Sequence, residues 1–182
     1  MTDDPAPGAI TLRPHRPGDI GWVISRHGAL YAAEYGWDIR FEALVARIGA
    51  DFIDRFDAAR EACWIAERAS GTRGATGPVP VGSVFLVQAR DEATDRPDPG
   101  VAQLRLLLVE PDARGLGLGK RLTATCEDFA RRAGYRRVRL WTQSILLAAR
   151  GIYAAAGYRL VGTEPHHSFG HDLVGEVWER EL

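Results

Sequence analysis

Residues 101–120 read VAQLRLLLVEPDARGLGLGK, and this stretch decides the fold. The long apolar run at 101–109, with Arg105 inside it, predicts a central strand that is covered on both faces. The glycine-rich segment 114–119 follows after a short connection, and a helical pattern begins directly behind it. Glycines let backbone N–H groups approach an anion closely, and a helix N-terminus adds unpaired donors and a positive dipole end. We therefore predict a phosphate-binding loop between a central strand and a helix.

Two other phosphate-binding loops do not fit the spacing of this segment. A Walker A loop needs Gly-Lys followed by Ser or Thr, whereas Lys120 is followed by Arg121. A Rossmann loop has G-x-G-x-x-G in the first βαβ unit, whereas G-x-G-x-G occurs here late in the chain. A glycine-rich tight turn without a ligand is the alternative that the loop by itself leaves open.

The rest of the chain predicts the order β-α-α-β-β-β-α-β-α-β-β, an α/β fold with a mixed sheet and helices on both faces. The predicted strands cover residues 10–14, 63–68, 81–88, 101–109, 137–142, 158–161 and 173–180. The predicted helices cover residues 19–35, 41–56, 120–133 and 145–156, with Asp19 as the candidate N-cap of the first. We expect a disordered tip at 1–8, a loop at 70–80, a mobile connection at 91–100, and one domain at 9–182.

Composition and charge exclude several classes of protein. Apolar residues make up 46% and charged residues 26% of the 182, which is typical of a folded globular protein. The net charge of −1 gives no general attraction to nucleic acid or to anionic lipid. No apolar run approaches the roughly eighteen residues of a membrane span, and residues 1–8 do not resemble a signal peptide. We expect a cytoplasmic protein in which Cys63 and Cys126 are buried free thiols.

Two motifs carry a resemblance to a known family. The pattern L-x-x-L-x-V-x-P-x-x-R-G-x-G-x-G is matched by Leu104, Leu107, Val109, Pro111, Arg114, Gly115, Gly117 and Gly119. It resembles the coenzyme A signature of the GNAT superfamily, the Gcn5-related N-acetyltransferases. Residues 152–158, IYAAAGY, resemble the second motif of that family, Y-x-x-x-G-F/Y. The resemblance covers nearly the whole chain and implies the GNAT acyl-CoA N-acyltransferase fold and acetyl-CoA-dependent N-acetyltransferase activity.

Segments 27–38 and 168–175 are similar to one bacterial subgroup of the family. In that subgroup the acetyltransferase domain is often fused behind a MarR-type winged-helix regulator. We expect the regulator to be absent here.

The family resemblance implies which residues hold the cofactor. The pantetheine arm would pair with the exposed backbone of Leu107, Leu108 and Val109, where an N–H group would polarise the thioester carbonyl. The pyrophosphate would be bound by backbone N–H groups of Arg114, Gly115, Leu116, Gly117, Leu118, Gly119 and Lys120. Arg114 adds charge near the phosphates or is simply a surface arginine. Gln143 stands where many relatives have an asparagine, and its amide is a candidate hydrogen-bond partner of the cofactor.

The chemistry needs an acid for the departing thiolate and a base for the amine. Tyr153 occupies the family's general-acid position, next to the cofactor, although a core aromatic is the alternative. Many relatives carry a glutamate where this chain has Gln103, so the base must come from elsewhere. Glu34 is our first candidate, because we expect neighbouring aromatic side chains to desolvate it and raise its pKa. A solvated Glu34 is the alternative, with His166, His167, His171 or water as the base.

The acceptor side is expected to contain aromatic, acidic and histidine side chains. The substrate-binding candidates are Tyr31, Glu34, Tyr35, Trp37, His166 and His171. Aromatic rings with carboxylates suit a cationic amine, so we predict a small-molecule primary amine that attacks directly in a ternary complex. No HxxxH or CxxC spacing supports a metal, and none is expected.

Several alternatives stay open at this stage. One is a non-catalytic module that senses acyl-CoA, which Gln103 suggests. Another is a different donor, such as succinyl- or propionyl-CoA. The family also contains many dimers. Both a monomer and a homodimer that pairs through an exposed final strand are therefore open alternatives. Nucleic acid and membranes are not expected as partners.

Overall fold

The computed structural model describes residues 8–70, 77–91 and 93–182. Its strands are β1 (Ile10–Pro14), β2 (Ala62–Arg68), β3 (Val79–Arg90), β4 (Pro97–Val109), β5 (Arg137–Gln143), β6 (Arg159–Ser168) and β7 (His171–Glu181). Its helices are α1 (Asp19–Tyr35), α2 (Ile39–Arg55), α3 (Leu118–Arg132) and α4 (Leu147–Ala155), with a short 3-10 turn at Pro111–Ala113. The predicted mixed α/β fold and its element order are confirmed. The predicted tip at 1–8, except for Gly8, and the middle of the predicted loop at 70–80 lie outside the described residues.

The seven strands form one sheet in the order β1-β2-β3-β4-β5-β7-β6. β4 and β5 run parallel, and the other neighbours run antiparallel. The final strand β7 pairs with β5 on one side and with β6 on the other. The final strand is therefore not exposed for pairing with a second copy, because the last hairpin inserts β7 into the sheet and leaves β6 at the edge.

β4 and β6 each extend by four or more residues beyond one end of the predicted strand. β4 already begins at Pro97, which shortens the predicted mobile connection. β6 continues to Ser168, so that His166 and His167 lie opposite Leu173 and Asp172 of β7. Only Phe169 and Gly170 form the turn, both with positive φ. Pairing with β7 supplies the hydrogen bonds that extend β6, so the three histidines expected between the strands lie within them.

The start of α1 differs from its predicted cap. Gly18 is the N-cap and makes no side-chain cap hydrogen bond, whereas Asp19 is the first helical residue. The carboxylate of Asp19 instead accepts from the Arg13 guanidinium at 2.5 Å and from the Arg16 backbone N–H at 2.6 Å. Asp19 therefore ties β1 to the first turn of α1 rather than capping the helix.

Two hydrophobic layers cover the sheet. On one face, Val23 of α1 and Phe52 of α2 pack against Cys63, Ile65 and Phe85. On the other face α3 and α4 pack against a larger cluster whose members include Leu104, Leu122, Cys126, Leu140 and Tyr153. Cys63 and Cys126 are buried free thiols, as predicted.

The sheet opens between its two central strands. β4 and β5 pair only from Val101↔Arg137 to Leu104↔Leu140. Just beyond this point β4 has one extra residue relative to β3, and Leu106 there has a φ of 51°. The hydroxyl of the buried Ser83 donates to the carbonyl of Leu106 at 3.1 Å and holds this β-bulge. Because a bulge bends its strand, the end of β4 turns away from β5 and leaves a gap.

Candidate active site

A cavity of about 430 Å³ lies beside the end of β4, beyond the point where β4 stops pairing with β5. Its wall contains Leu30, Tyr31, Glu34 and Tyr35 of α1, Leu107, Leu108 and Val109 of β4, and Leu146, Ala148, Ala149 and Ile152 around α4. The loop after β4 and the start of α3 contribute Ala113, Arg114, Gly115, Gly117, Leu118, Gly119 and Lys120. Most of the predicted cofactor residues are therefore brought together. Leu116, Gln143 and Tyr153 do not line this cavity, and neither do Trp37, His166 and His171.

The glycine loop presents free backbone donors to one end of this cavity. Gly115 and Gly117 have φ values of 78° and 73°, a left-handed conformation that favours glycine. Within the described part of the chain, the N–H groups of Gly115, Leu116 and Gly117 have no hydrogen-bond acceptor. α3 begins at Leu118 without a side-chain cap, so its first-turn N–H groups are free as well. Such a cluster of donors at a helix N-terminus fits a pyrophosphate.

The predicted general acid lies behind the cavity wall. Tyr153 is buried next to Tyr158, with 5.8 Å between the ring centroids, while the preceding residue, Ile152, faces the cavity. Burial raises the pKa of the Tyr153 phenol, and the nearby Tyr31 adds to the effect. The hydroxyl of Tyr153 is therefore protonated at neutral pH and able to donate a hydrogen bond.

Glu34 is paired with the loop arginine. Its Oε1 accepts from Nη2 of Arg114 at 2.7 Å, and Nε of Arg114 donates to the Val109 carbonyl at 3.2 Å. The side chain of Glu34 is 29% exposed. The expected desolvation of Glu34 by aromatic side chains was therefore wrong, because a guanidinium faces its carboxylate and water reaches it.

The predicted acceptor aromatics form part of a core cluster. The centroid of the Trp37 ring lies 5.0 Å from that of Tyr31, 4.6 Å from that of Phe41 and 5.0 Å from that of Phe169. Trp37 is 4% exposed, and its Nε1 has no hydrogen-bond partner among the described residues. Tyr31 and Tyr35 reach the cavity, whereas Trp37 packs the α1–α2 turn against the β6–β7 turn.

The histidines of the β6–β7 hairpin have separate roles. Nε2 of His166 donates to Oε1 of Gln143 at 3.2 Å, because an amide oxygen can only accept. Nδ1 of His166 lies 2.9 Å from the Ser168 hydroxyl. His171 Nε2 donates to the Gly36 carbonyl at 3.0 Å and fixes the hairpin to the α1–α2 turn. His167 Nδ1 lies 2.7 Å from the Asp172 carboxylate on the exposed side of the hairpin.

Gln143 is the last residue of β5 and lies beside the gap in the sheet. Its side chain is 1% exposed, and within the described residues its Nε2 has no acceptor. The sequence predicted a polar contact for Gln143 but gave no sign of its link to His166, because 23 residues separate the two.

A second cavity, of about 550 Å³, lies between α2, β5 and the β6–β7 hairpin. Its polar and aromatic lining includes Arg40, Arg47, Trp141, Glu164, His166 and Phe169. Phe169 lines this second cavity and Leu146 lines the first, and both belong to the same hydrophobic cluster as Trp37. That cluster therefore forms the wall between the two cavities. Sequence reasoning missed the arginines, because the helix predicted at 41–56 begins after Arg40, whereas α2 begins at Ile39 and places Arg40 and Arg47 two turns apart on one face.

Among the described residues, no group of three or more His, Cys, Asp or Glu side chains is arranged to hold a metal ion. None of the described helices combines the length and apolar character that crossing a bilayer requires.

The comparison with protein families agrees with the observed fold and with the glycine loop at 114–119. The model of the Acetyltransferase (GNAT) family matches residues 22–158, which include both motifs and the gap in the sheet. The chain therefore belongs to the GNAT family of acetyltransferases.

Known relatives are similar over part of their length. A mycothiol acetyltransferase from Sanguibacter keddieii is 32% identical over 155 residues, which are 84% of this chain and 44% of the relative. The human N-acetyltransferase 8B is 34% identical over 117 residues, 64% of this chain and 43% of the relative. The chain thus spans about half the length of the curated relatives that it matches.

Solved structures show the same fold. An acetyltransferase structure from Salmonella typhimurium, which contains acetyl-CoA, superposes with a TM-score of 0.70 at 21% identity. The superposition covers 96% of this chain and 94% of the Salmonella chain. A GCN5-related N-acetyltransferase from Kribbella flavida gives a TM-score of 0.70 at 22% identity, with 96% and 98% covered. The predicted GNAT fold is therefore confirmed.

Proposed function

We propose that this protein is an acetyl-CoA-dependent N-acetyltransferase that acts as a single domain at residues 9–182. It transfers an acetyl group to the primary amine of a small molecule, by direct attack in a ternary complex. The observation that carries this proposal is the first cavity, where a β-bulge parts β4 from β5 and a glycine loop supplies free N–H groups.

The residues of the first cavity suit the donor. Acetyl-CoA supplies a thioester whose acetyl group an amine can accept. The loop at 114–120 would bind its pyrophosphate, and the unpaired backbone of Leu107, Leu108 and Val109 would pair with the pantetheine arm. A backbone N–H there would stabilise negative charge on the carbonyl oxygen.

Tyr153 is the proposed general acid. Tyr153 is a buried residue whose hydroxyl is protonated at neutral pH, and the preceding residue, Ile152, belongs to the cavity wall. A phenol at this place would hydrogen-bond the departing thiolate and supply its proton.

Glu34 is the proposed general base, because its carboxylate lines the cavity. Its ion pair with Arg114 has to open before the carboxylate accepts a proton from the amine. His166, which is linked to the gap through Gln143, is the alternative base, and water is a further one.

A thiol-release assay with acetyl-CoA and a panel of amines tests the proposal. We expect release of free coenzyme A that requires both acetyl-CoA and an amine. Binding of acetyl-CoA without turnover on any amine would support the non-catalytic sensing module instead. Failure to bind acetyl-CoA would contradict both functions.

Three further features stay predictions. They are the relation to the MarR-fused subgroup, the cytoplasmic location and a homodimer. A homodimer built by strand pairing would use the edge strand β6, since β7 is already paired on both sides.

A further inference from the structure

Two ion pairs join α1 to the segment that follows β4. Arg26 of α1 binds Glu110 through two contacts, of 2.6 and 2.9 Å. Glu34, about two helical turns further along α1, binds Arg114 through one contact of 2.7 Å. Both members of this second pair line the first cavity, whereas Arg26 and Glu110 do not. The Glu34–Arg114 pair is also the more exposed of the two, so it is the pair that a ligand of the cavity reaches.

The guanidinium of Arg114 is held by two groups to which the proposed function gives other partners. Its Nε donates to the Val109 carbonyl at 3.2 Å, and its Nη2 donates to the Glu34 carboxylate at 2.7 Å. Val109 belongs to the β4 backbone that would pair with the pantetheine arm, and Glu34 is the proposed base. The donor and the amine therefore both compete with Arg114 for these two groups.

The charges of the first cavity favour the diphosphate of the donor as the partner of Arg114. Among the described residues that line this cavity, the charged ones are Glu34, Arg114 and Lys120. While Glu34 and Arg114 are paired their charges cancel, which leaves Lys120 to face a diphosphate. A guanidinium binds phosphate oxygens through charge-assisted hydrogen bonds, which are stronger than a partly exposed ion pair.

The position of Arg114 in the chain suits this change of partner. It directly precedes residues 115–117, whose N–H groups have no acceptor among the described residues and would bind the diphosphate. A rotation of the Arg114 side chain is therefore enough to bring its guanidinium from α1 towards the loop. The Arg26–Glu110 pair keeps α1 attached to the end of β4 when the Glu34–Arg114 pair opens.

We propose that Arg114 is a positioning residue that exchanges Glu34 for the diphosphate of the donor, so that binding of acetyl-CoA frees the base. This inference rests on the proposed function and adds a regulation of the same site. Glu34 is then free to accept a proton from an amine when the donor is in place, and it is held by Arg114 otherwise.

A double-mutant cycle on the binding of coenzyme A tests the exchange. Calorimetric titration measures the Kd of coenzyme A for the native protein, Glu34→Gln, Arg114→Gln and the double variant. Removal of the Glu34 charge relieves its repulsion of the diphosphate in both backgrounds, but it liberates a guanidinium only where Arg114 is present. We therefore expect Glu34→Gln to tighten binding about three- to fivefold more in the native background than in the Arg114→Gln background.

The Arg26–Glu110 pair is the matched control, because it also joins α1 to the end of β4 and lies outside the first cavity. In the same cycle with Arg26→Gln and Glu110→Gln, the effect of Glu110→Gln should agree between the two backgrounds within about twofold. A purely structural role of these ion pairs would give the same result at both, so the difference between the two cycles reports the exchange.

Equal effects of Glu34→Gln in its two backgrounds, or weaker binding in Glu34→Gln, would overturn the exchange and leave acetyl transfer intact. A crystal structure of the complex with coenzyme A gives a second measurement. We expect the Arg114 guanidinium on the diphosphate oxygens, and a guanidinium that still contacts Glu34 would overturn the exchange.

The same titrations separate this inference from the proposed function. Absence of coenzyme A binding would contradict the proposed function and the exchange with it. The expected difference between the two cycles, found in a protein that acetylates no amine, would support the exchange and contradict the enzymatic function.

Discussion

Two buried tyrosines on either side of Gly157 have different surroundings. Tyr153 adjoins the cavity wall, whereas Tyr158 is buried with a hydroxyl that has no hydrogen-bond partner in the described structure. Both phenols have a pKa raised by burial, so both are protonated at neutral pH. The position of the hydroxyl, and not its protonation, therefore distinguishes a catalytic tyrosine from a structural one.

Tyr153→Phe should lower kcat about a hundredfold and leave the Kd for acetyl-CoA within about twofold, because only a proton donor is lost. Tyr158→Phe is the control and should leave kcat unchanged. It should raise the free energy of unfolding by about 1 kcal/mol, since an unpaired buried hydroxyl disappears. Steady-state kinetics and urea unfolding measure these effects, and an unchanged kcat in Tyr153→Phe would remove that residue from the acid role.

Glu34→Gln keeps the shape of the side chain but cannot accept a proton. We expect kcat to fall by at least about tenfold and the pH–rate profile to lose its acidic limb. The stability should change little, because the pair with Arg114 is partly exposed. His166→Gln is measured beside it. An acidic limb that is kept in Glu34→Gln and lost in His166→Gln would transfer the base role to His166.

Contacts between elements depend on a few glycines and on one bulge. The bulge at Leu106 separates β4 from β5, and Ser83 of β3 holds its carbonyl. α1 and α2 come close at Gly49, where an added Cβ would lie 2.8 Å from Cγ2 of Ile20. Gly21 of α1, in contrast, has no atom within 4 Å of such a Cβ. The same substitution therefore has opposite consequences at two helical sites.

Gly49→Ala should lower the free energy of unfolding by about 1–3 kcal/mol, because the methyl group forces α1 and α2 apart. Gly21→Ala should raise it by up to about 1 kcal/mol, since alanine has the higher helix propensity and meets nothing. Urea unfolding followed by circular dichroism measures both changes. A stabilising Gly49→Ala would mean that the two helices are less closely packed than described.

At the scale of the whole molecule, one buried histidine links stability to pH. His27 is 2% exposed and its Nδ1 donates to the Val23 carbonyl at 2.9 Å. Burial lowers the pKa of His27 from 6.5 to about 4, although the hydrogen bond opposes the shift. Between these values the unfolded chain binds a proton that the folded protein does not, so stability rises with pH.

The native protein should lose roughly 3 kcal/mol of stability through His27 as the pH falls from 6.5 to about 4. His27→Gln removes this contribution and should flatten the pH dependence of the urea midpoint. His167→Gln, which alters an exposed histidine, is the matched control variant. Parallel curves for His27→Gln and the native protein would contradict a neutral buried His27.

Features that depend on neighbours in the chain were predictable from the sequence alone. The element order, the central strand and the glycine loop at 114–119 follow from apolar periodicity and from the conformations that glycine permits. These two kinds of signal act within a few residues. The fold and the cofactor loop could therefore be predicted before any tertiary contact was known.

The remaining features were decided by the tertiary structure. Glu34 meets Arg114 across 80 residues, and His166 meets Gln143 across 23. The bulge at Leu106 and the place of β7 inside the sheet depend on how strands pair. Local propensity carries no information about such partners, because packing and strand register select them only when the whole chain is folded. The sequence by itself thus determined a strand, loop and helix that can bind a phosphate, and the tertiary structure decided which side chains face the gap beside them.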